Sequence, residues 1–239
     1  MKSAVAFVLL AFGGCFSQVC AQIAPDSDNA RDTAAPAPPQ TYGRIDGDTY
    51  ISPTGLYRMK IPVVPQLGGA IADTPNLVNF DDDFSIHISV AAFPLTPELK
   101  AEFEKRGIKD FLIYFFTSFI MPDYAARFPG SKMEENAAFL SKFQGGAMII
   151  YTLHPGGSYF EQRVTFSRWL PPAVAKRGNL CFVKDGHIFA LSTELAERVL
   201  ERSTYRKTPE EENAILHQRL LDLVEKMQFA GPPPPEAKN

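Results

Sequence analysis

The chain has 239 residues, of which 45% are hydrophobic and 12% aromatic, a composition sufficient for one large domain with a full apolar core. The formal net charge is −3. Because nucleic-acid-binding proteins usually show a concentrated basic excess, this charge argues against a nucleic-acid partner.

Residues 1–21 have the pattern of a secretory signal peptide. Lys2 supplies the positive start, and residues 4–12 form an apolar stretch too short to span a bilayer. Val19 and Ala21 provide the small residues that precede a cut before Gln22. We therefore expect export to the periplasm or the extracellular space, and no transmembrane span.

A membrane-anchored lipoprotein is the alternative. Residues 12–15 read Phe-Gly-Gly-Cys and resemble a bacterial lipobox, which would place a lipid anchor on Cys15, although such boxes usually carry Leu at the position of Phe12. Cleavage before Gln22 would leave Cys181 without a disulfide partner. Since Cys181 lies in an apolar run, we expect an inert core thiol.

Composition predicts the domain boundaries. Residues 22–41 are rich in Pro and Ala with few large apolar groups, so we expect a disordered linker. Residues 42–230 should form the folded domain. Residues 231–239, which include four consecutive prolines, should form a disordered tail.

The first half of the domain reads as two strand pairs. Residues 49–52 and 56–61 flank a Pro-Thr-Gly turn, and a Gly-rich connection through residues 68–69 follows. Residues 78–80 and 84–93 then flank three aspartates, which predict a solvated turn in preference to a metal site. In the last of these strands one face carries Phe84, Ile86, Ile88, Val90 and Ala92.

Two helices are expected next. Thr96 and Pro97 have the pattern of a helix start, with the first helix reaching Gly107. Residues 111–121 are apolar on every side, so we expect a buried second helix that Pro122 ends. In the alternative, one side of it with Tyr114, Phe115 and Phe119 stays open to a ligand or partner.

The second half predicts more strands and two further helices. The predicted strands are residues 133–143, 147–153 and 159–169, and then a hairpin of residues 180–183 and 188–191 around Asp185-Gly186. Residues 193–207 should form a helical connector with a solvated, mixed-charge face. The closing helix should start at the cap Thr208 and carry an apolar stripe of Leu216, Leu220, Leu223, Val224 and Met227.

Motifs of known chemistry are absent from the sequence. There is no G-x-S-x-G elbow, no paired histidine motif, no phosphate loop and no dinucleotide fingerprint. We therefore expect no metal and no cofactor. The best polar cluster is Ser85, His87 and Ser89 on one strand face, for which a solvent-facing strand is preferred over a pocket.

The order of elements is strand pair, hairpin, helix, antiparallel meander, final hairpin and closing helix. It is accompanied by the segments Tyr50-Ile51-Ser52-Pro53, Leu56-Tyr57-Arg58-Met59, Ile61-Pro62 and Met227-Gln228-Phe229. These features resemble the PsbP-like fold of extrinsic photosystem subunits and many secreted bacterial proteins. The resemblance covers roughly residues 42–229 and implies an α+β class, a single-domain α/β/α sandwich around a mainly antiparallel sheet. It implies no catalytic residue, because a fold does not determine a function.

Two functional hypotheses follow. The first is an exported, non-catalytic module that binds a protein partner or an apolar ligand through the sheet face or the helix of residues 111–121. Its candidate binding residues are Ser85, His87, Ser89, Tyr114, Phe115 and Phe119. The second is a hydrolase-like enzyme whose site is assembled from dispersed residues around His87. Since no catalytic motif is visible, the first hypothesis is preferred.

Overall fold

A computed structural model of the chain describes residues 41–161 and 173–230. The predicted signal peptide, the linker up to residue 40 and the tail of residues 231–239 lie outside the described residues. So do residues 162–169 of the predicted strand 159–169.

The described residues form twelve β-strands. In chain order they are β1 (Arg44–Asp46), β2 (Thr49–Ile51), β3 (Tyr57–Lys60), β4 (Ala70–Thr74), β5 (Leu77–Asp81), β6 (His87–Pro94), β7 (Lys132–Met133), β8 (Ala138–Leu140), β9 (Ala147–Pro155), β10 (Val174–Lys184), β11 (His187–Glu194) and β12 (Met227–Phe229).

The same part of the chain contains four α-helices, a 3₁₀ turn and a π-helical segment. The α-helices are α1 (Pro97–Phe115), α2 (Met121–Arg127), α3 (Glu197–Leu200) and α4 (Pro209–Glu225). The 3₁₀ turn spans Pro65–Leu67, and the π-helical segment Phe116–Ile120 connects α1 to α2.

The strands build two sheets in which every described pairing is antiparallel. The large sheet has the order β4-β5-β6-β11-β10-β9-β7, with β8 also paired to β9, and the small sheet has the order β1-β2-β3-β12. Helices α1 and α2 cover one face of the large sheet, where Tyr124 bonds to Asn179. Helix α4 and the small sheet cover the other face, where Leu216 contacts Gly178. The predicted α+β class with antiparallel sheets is confirmed; the separate small sheet was not predicted.

The central hairpin forms as predicted. Asp185 and Gly186 take positive φ angles of 47° and 72°, and Lys184 pairs with His187 across the turn. These angles fit the tight two-residue turn. Cys181 on β10 is fully buried, and burial raises the pKa of its thiol to about 12. The thiol is therefore protonated at neutral pH and shielded from reagents.

Helix α4 begins at the predicted cap but ends earlier than predicted. Thr208 Oγ1 accepts from Glu211 N, and the Glu211 carboxylate accepts from Thr208 N, completing a capping box. The helix ends at Glu225, and Met227 belongs to β12, where it pairs with Met59. Met227 is buried as expected, but it is buried as a strand residue of the small sheet.

The apolar helix does not end at Pro122. That proline lies at the start of α2, directly after the π-helical segment, and the chain continues helically to Arg127. Gly107, with φ 73° and ψ 164°, kinks α1 at the position where the first predicted helix ends. The boundary at residue 107 is therefore a kink rather than a loop.

Several smaller predictions were wrong. Residues 133–143 form two short strands instead of one, and residues 159–160 lie in a turn instead of a strand. The connector of residues 193–207 is helical only over α3, and Glu194, expected on a solvated face, is fully buried in β11. Strands β1 and β4 were missed because they lie beside glycines and each contains only one large apolar residue.

Candidate functional site

A cavity of about 420 Å³ opens between the small sheet, the start of β6 and helices α3 and α4. Its apolar lining residues are Met59, Ile61, Pro62, Ile86, Ile88 and Leu223. Its polar and charged lining residues are Lys60, Ser85, Thr193, Glu197, Arg219, Asp222 and Lys226. The cavity therefore combines an apolar floor with a charged rim.

The strand wall of the cavity follows from the two-residue period of β-structure. On β3, Tyr57 and Met59 point into the core while Lys60 is exposed at the rim. On the other side, Ile88 of β6 and Ile86, which directly precedes that strand, both line the cavity. Alternation thus places apolar side chains inward and a lysine at the edge.

The turn before β6 is held by Asp82, which is buried although the sequence predicted a solvated turn. Its Oδ1 accepts hydrogen bonds from the backbone N–H groups of Phe84, Ser85 and Ile86 at 2.9, 2.7 and 2.8 Å. Phe84, predicted on the buried face, is 55% exposed. Because Asp82 curls the chain here, regular strand alternation starts only at His87.

Helix α4 supplies the opposite wall. Arg219 lies three and four residues before Asp222 and Leu223, and Lys226 lies four and three residues after them, so all four share one helical face. Only Leu223 in this set is buried. The apolar stripe in the sequence predicts the burial of Leu223, but no pattern indicates that its charged neighbours face a cavity.

One end of the rim is closed by an ion pair between α4 and α3. Both Arg219 guanidinium NH₂ groups donate to the Glu197 carboxylate. Burial acts to raise the pKa of Glu197, but the hydrogen bonds and charge of Arg219 outweigh it and hold that pKa below its usual value. Glu197 is therefore ionised at neutral pH and neutralises Arg219.

The predicted cluster of Ser85, His87 and Ser89 is not one surface. Ser85 lines the cavity, whereas His87 and Ser89 point to the opposite face of the sheet. Ser89 is 6% exposed and its hydroxyl donates to Asn79 Oδ1 at 2.7 Å. The preferred interpretation of a solvent-facing strand was wrong for Ser89, whose buried hydroxyl is bonded to the neighbouring strand β5.

His87 lies beside a carboxylate but outside the cavity lining. Its Nδ1 contacts Asp81 Oδ1 at 2.5 Å, and its ring stacks on Tyr159 with the ring centroids 5.0 Å apart. Burial raises the pKa of Tyr159 to about 12, with the charges of Asp81 and Asp82 adding to the effect. This group is a hydrogen-bonded and aromatic contact between β5, β6 and the turn at residue 159.

The three aromatic candidates on the second apolar helix differ in exposure. Phe115 is 3% exposed, so it is a core residue and not an open binding surface. Tyr114 and Phe119 are half-buried and contact each other edge to face, and Arg106 lies 4.2 Å above the Tyr114 ring. Only Tyr114 and Phe119 offer any surface to a partner.

A buried series of side-chain hydrogen bonds, which no sequence pattern predicted, lies under α2. Tyr124 OH donates to Asn179 Oδ1, and Asn179 Nδ2 donates to Thr152 Oγ1. His154 then contacts Thr152 Oγ1 through Nε2 and Ser131 Oγ through Nδ1.

The donor and acceptor roles in this series of hydrogen bonds indicate a structural role. Ser131 Oγ lies 2.6 Å from Phe128 O and donates to it, so the hydroxyl accepts from His154 Nδ1–H. Burial, followed by the charge of Arg177, lowers the pKa of His154 to about 3. A neutral imidazole that donates to the serine does not activate it as a nucleophile.

A second buried cluster is ionic. Lys176 on β10 is fully buried and pairs with Glu134 at 2.9 Å and with Glu212 at 3.1 Å. Glu212 also pairs with Arg198 at 2.5 Å. The cluster ties α4 and α3 to the large sheet, and no signal in the spacing of these residues could have predicted it.

Within residues 41–161 and 173–230, no group of three or more His, Cys, Asp or Glu side chains is placed to hold a metal ion. In the same residues no helix is long and apolar enough to cross a membrane.

No protein-family model matches the sequence, and no curated protein matches it either. Among solved structures, the fold is similar to the Ran-binding protein Mog1p of Saccharomyces cerevisiae, with a TM-score of 0.45, 10% identity, and coverage of 80% of this chain and 96% of that one. It is also similar to cyanobacterial PsbP from Synechocystis, with a TM-score of 0.43, 12% identity, and coverage of 76% and 91%. The resemblance to the PsbP-like fold that the sequence predicted is thus found again among solved structures. At these identities it concerns the fold alone.

Proposed function

We propose that the chain is a non-catalytic binding module that receives the apolar part of a small ligand in the cavity between β3, β6 and α4. One observation carries the proposal: a concave space of about 420 Å³ joins an apolar floor to a few charged rim groups. Small-molecule sites typically have volumes of about 300–1,000 Å³ and this kind of lining.

The floor is apolar surface that the fold leaves uncovered. Ile61, Ile86 and Ile88 line the cavity and are only half-buried, although they are large apolar side chains. Covering such surface releases about 25 cal/mol for each Å² removed from water, so an apolar occupant gains affinity from contact with it.

The walls are held in place before any ligand arrives. Asp82 fixes the turn that presents Ser85 and Ile86, and the capping box secures the start of α4. A preformed site spends less binding free energy on ordering its own side chains.

The test is equilibrium binding of an uncharged, apolar fluorescent dye such as Nile red. Ser85 is exposed and lines the cavity, so Ser85→Trp fills the space without deleting a core side chain. We expect saturable binding to the native chain and an affinity at least about tenfold lower for Ser85→Trp.

Ser118→Trp is the matched control, because Ser118 is exposed on the π-helical segment and does not line the cavity. It should bind the dye as the native chain does, with circular dichroism confirming the fold of both variants. Equal affinity in the two tryptophan variants, or no saturable binding to the native chain, would refute the proposal.

We propose further that the module acts after export, on the support of the leader pattern in residues 1–21. Expression in a bacterial host followed by N-terminal sequencing should yield a mature chain that begins at Gln22. A chain that begins at a lipid-modified Cys15 would instead establish the lipoprotein alternative, and an uncleaved chain in the cytoplasm would contradict export.

The enzyme hypothesis retains one specific observation, the contact between His87 and Asp81. A carboxylate that orients an imidazole is a common arrangement for a general base. However, the two side chains are only 12% and 13% exposed, and neither lines the cavity. A binding module therefore fits the described residues better.

A further inference from the structure

The charges on the cavity rim are unevenly distributed along α4. Arg219 is neutralised by Glu197 at one end, and Lys60 and Lys226 line the same cavity at the other. Residues 219 and 226 are seven apart on the helix, which corresponds to about 10 Å along its axis. The cavity therefore has a neutralised end and a lysine end.

The two lysines are brought together by the pairing of β3 with β12. Met227 pairs with Met59, so Lys226, which precedes Met227, lies next to Lys60, which follows Met59. Both residues are exposed and line the cavity rim. The small sheet thus places two cations at one mouth of an apolar space.

Both lysine side chains remain open to solvent and therefore accessible to an anion. Lys60 contacts Asp48 at 3.0 Å, but the two side chains are 71% and 67% exposed, and exposed pairs of this kind contribute little. For Lys226 the described part of the chain shows no side-chain ion pair. The nearest acidic lining residue on α4, Asp222, accepts from Gln218 at 2.7 Å.

From this charge arrangement we propose that the ligand is a free single-chain amphiphile, whose alkyl chain fills the apolar floor and whose anionic head, a carboxylate or phosphate, binds between Lys60 and Lys226. The inference rests on the proposed function of the cavity and names the chemistry of its ligand. Charge-assisted hydrogen bonds to two ammonium groups distinguish such a ligand from a neutral one of the same length.

The experiment compares dodecanoate and dodecyl phosphate, both below their critical micelle concentrations, with dodecanol below its solubility limit, as competitors of the uncharged dye. The three have the same number of carbon atoms in one unbranched chain and differ in the head group and its charge. We expect both anions to bind the native chain about tenfold more tightly than dodecanol, with the preference falling as salt is added.

Lys60→Gln/Lys226→Gln should reduce the preference for the anions over dodecanol to less than about threefold. Lys100→Gln is the control, since Lys100 is an exposed lysine of α1 that does not line the cavity. It should retain the full preference for anions.

The outcomes separate this inference from the proposed function. If dodecanoate and dodecanol bind equally well, or if the double variant keeps the full preference, the anionic head is refuted while the apolar site remains. If none of the ligands displaces the dye, the proposed function fails as well. Binding to phosphatidylglycerol vesicles without binding of the free amphiphiles would show that the lysines meet a bilayer surface, which also overturns the inference.

Discussion

The hydroxyl of Tyr50 donates to Asp73 Oδ2 at 2.8 Å and thereby joins the small sheet to the edge strand of the large one. The same carboxylate accepts from the backbone N–H groups of Tyr42 and Gly43 at 2.9 and 2.7 Å. Burial, strengthened by the hydrogen bond to Asp73, raises the pKa of the fully buried Tyr50. Asp73 therefore accepts three hydrogen bonds from residues at the start of the folded domain.

Asp73→Ala should lower the free energy of unfolding by about 1–3 kcal/mol, because a buried hydroxyl and two N–H groups lose their acceptor. Urea denaturation of the native and variant chains measures the change. Tyr50→Phe removes the donor as well, so the double variant should lose less than the sum of the two single losses. Strict additivity would show that the bond does not couple the sheets.

Lowering the pH should destabilise the chain through His154. Its pKa is about 3 in the folded state against about 6.5 when unfolded, so between these values the unfolded chain binds the extra proton. Stability is therefore complete above pH 6.5 and falls as the pH decreases, by about 2 kcal/mol at pH 5.

Urea denaturation at pH 7 and pH 5 tests this contribution. His154→Gln removes the titrating group, and comparison with the native chain subtracts the contributions of the other histidines and the carboxylates. The variant should lose about 2 kcal/mol less than the native chain between the two pH values. Equal losses would mean that His154 titrates normally in the folded protein.

At Gly178 on β10, helix α4 packs closely against the large sheet. An added Cβ would lie 2.9 Å from Leu216 Cβ and 3.0 Å from Leu220 Cδ1. Gly178→Ala should therefore push α4 outward and cost about 1–3 kcal/mol in the free energy of unfolding. Ala175→Gly, on the same strand, is the comparison variant in which no volume is added. If Gly178→Ala is as stable as the native chain, the close packing of α4 on Gly178 is contradicted.

Asp82 does not line the cavity, but we expect its replacement to weaken ligand binding. Asp82→Ala removes the acceptor of three backbone N–H groups and frees the turn that presents Ser85 and Ile86. We expect dye affinity to fall by about tenfold, with a smaller loss for Asp82→Asn, which keeps one side-chain oxygen. Binding and thermal unfolding should be measured together, and undiminished binding by a folded Asp82→Ala would exclude this role.

The sequence by itself was sufficient for the α+β class, the hairpin at Asp185-Gly186, the capping box of α4 and the burial of Cys181. Each of these depends on neighbouring residues: a turn that needs positive φ, a cap three residues from its partner, or an apolar run. Local signals of this kind can be read from a few consecutive positions.

Only the tertiary structure determines where the cavity lies and which polar side chains are buried. After α4 the chain continues as β12 and pairs with β3, and this pairing forms one wall of the cavity. It also brings Lys226 beside Lys60, although the two are more than 160 residues apart in the sequence. Asp82, Glu194 and Lys176 are charged residues that local reasoning places in solvent, yet backbone amides and distant partners allow their burial. Such pairings depend on how the sheets and helices stack, which no local pattern contains.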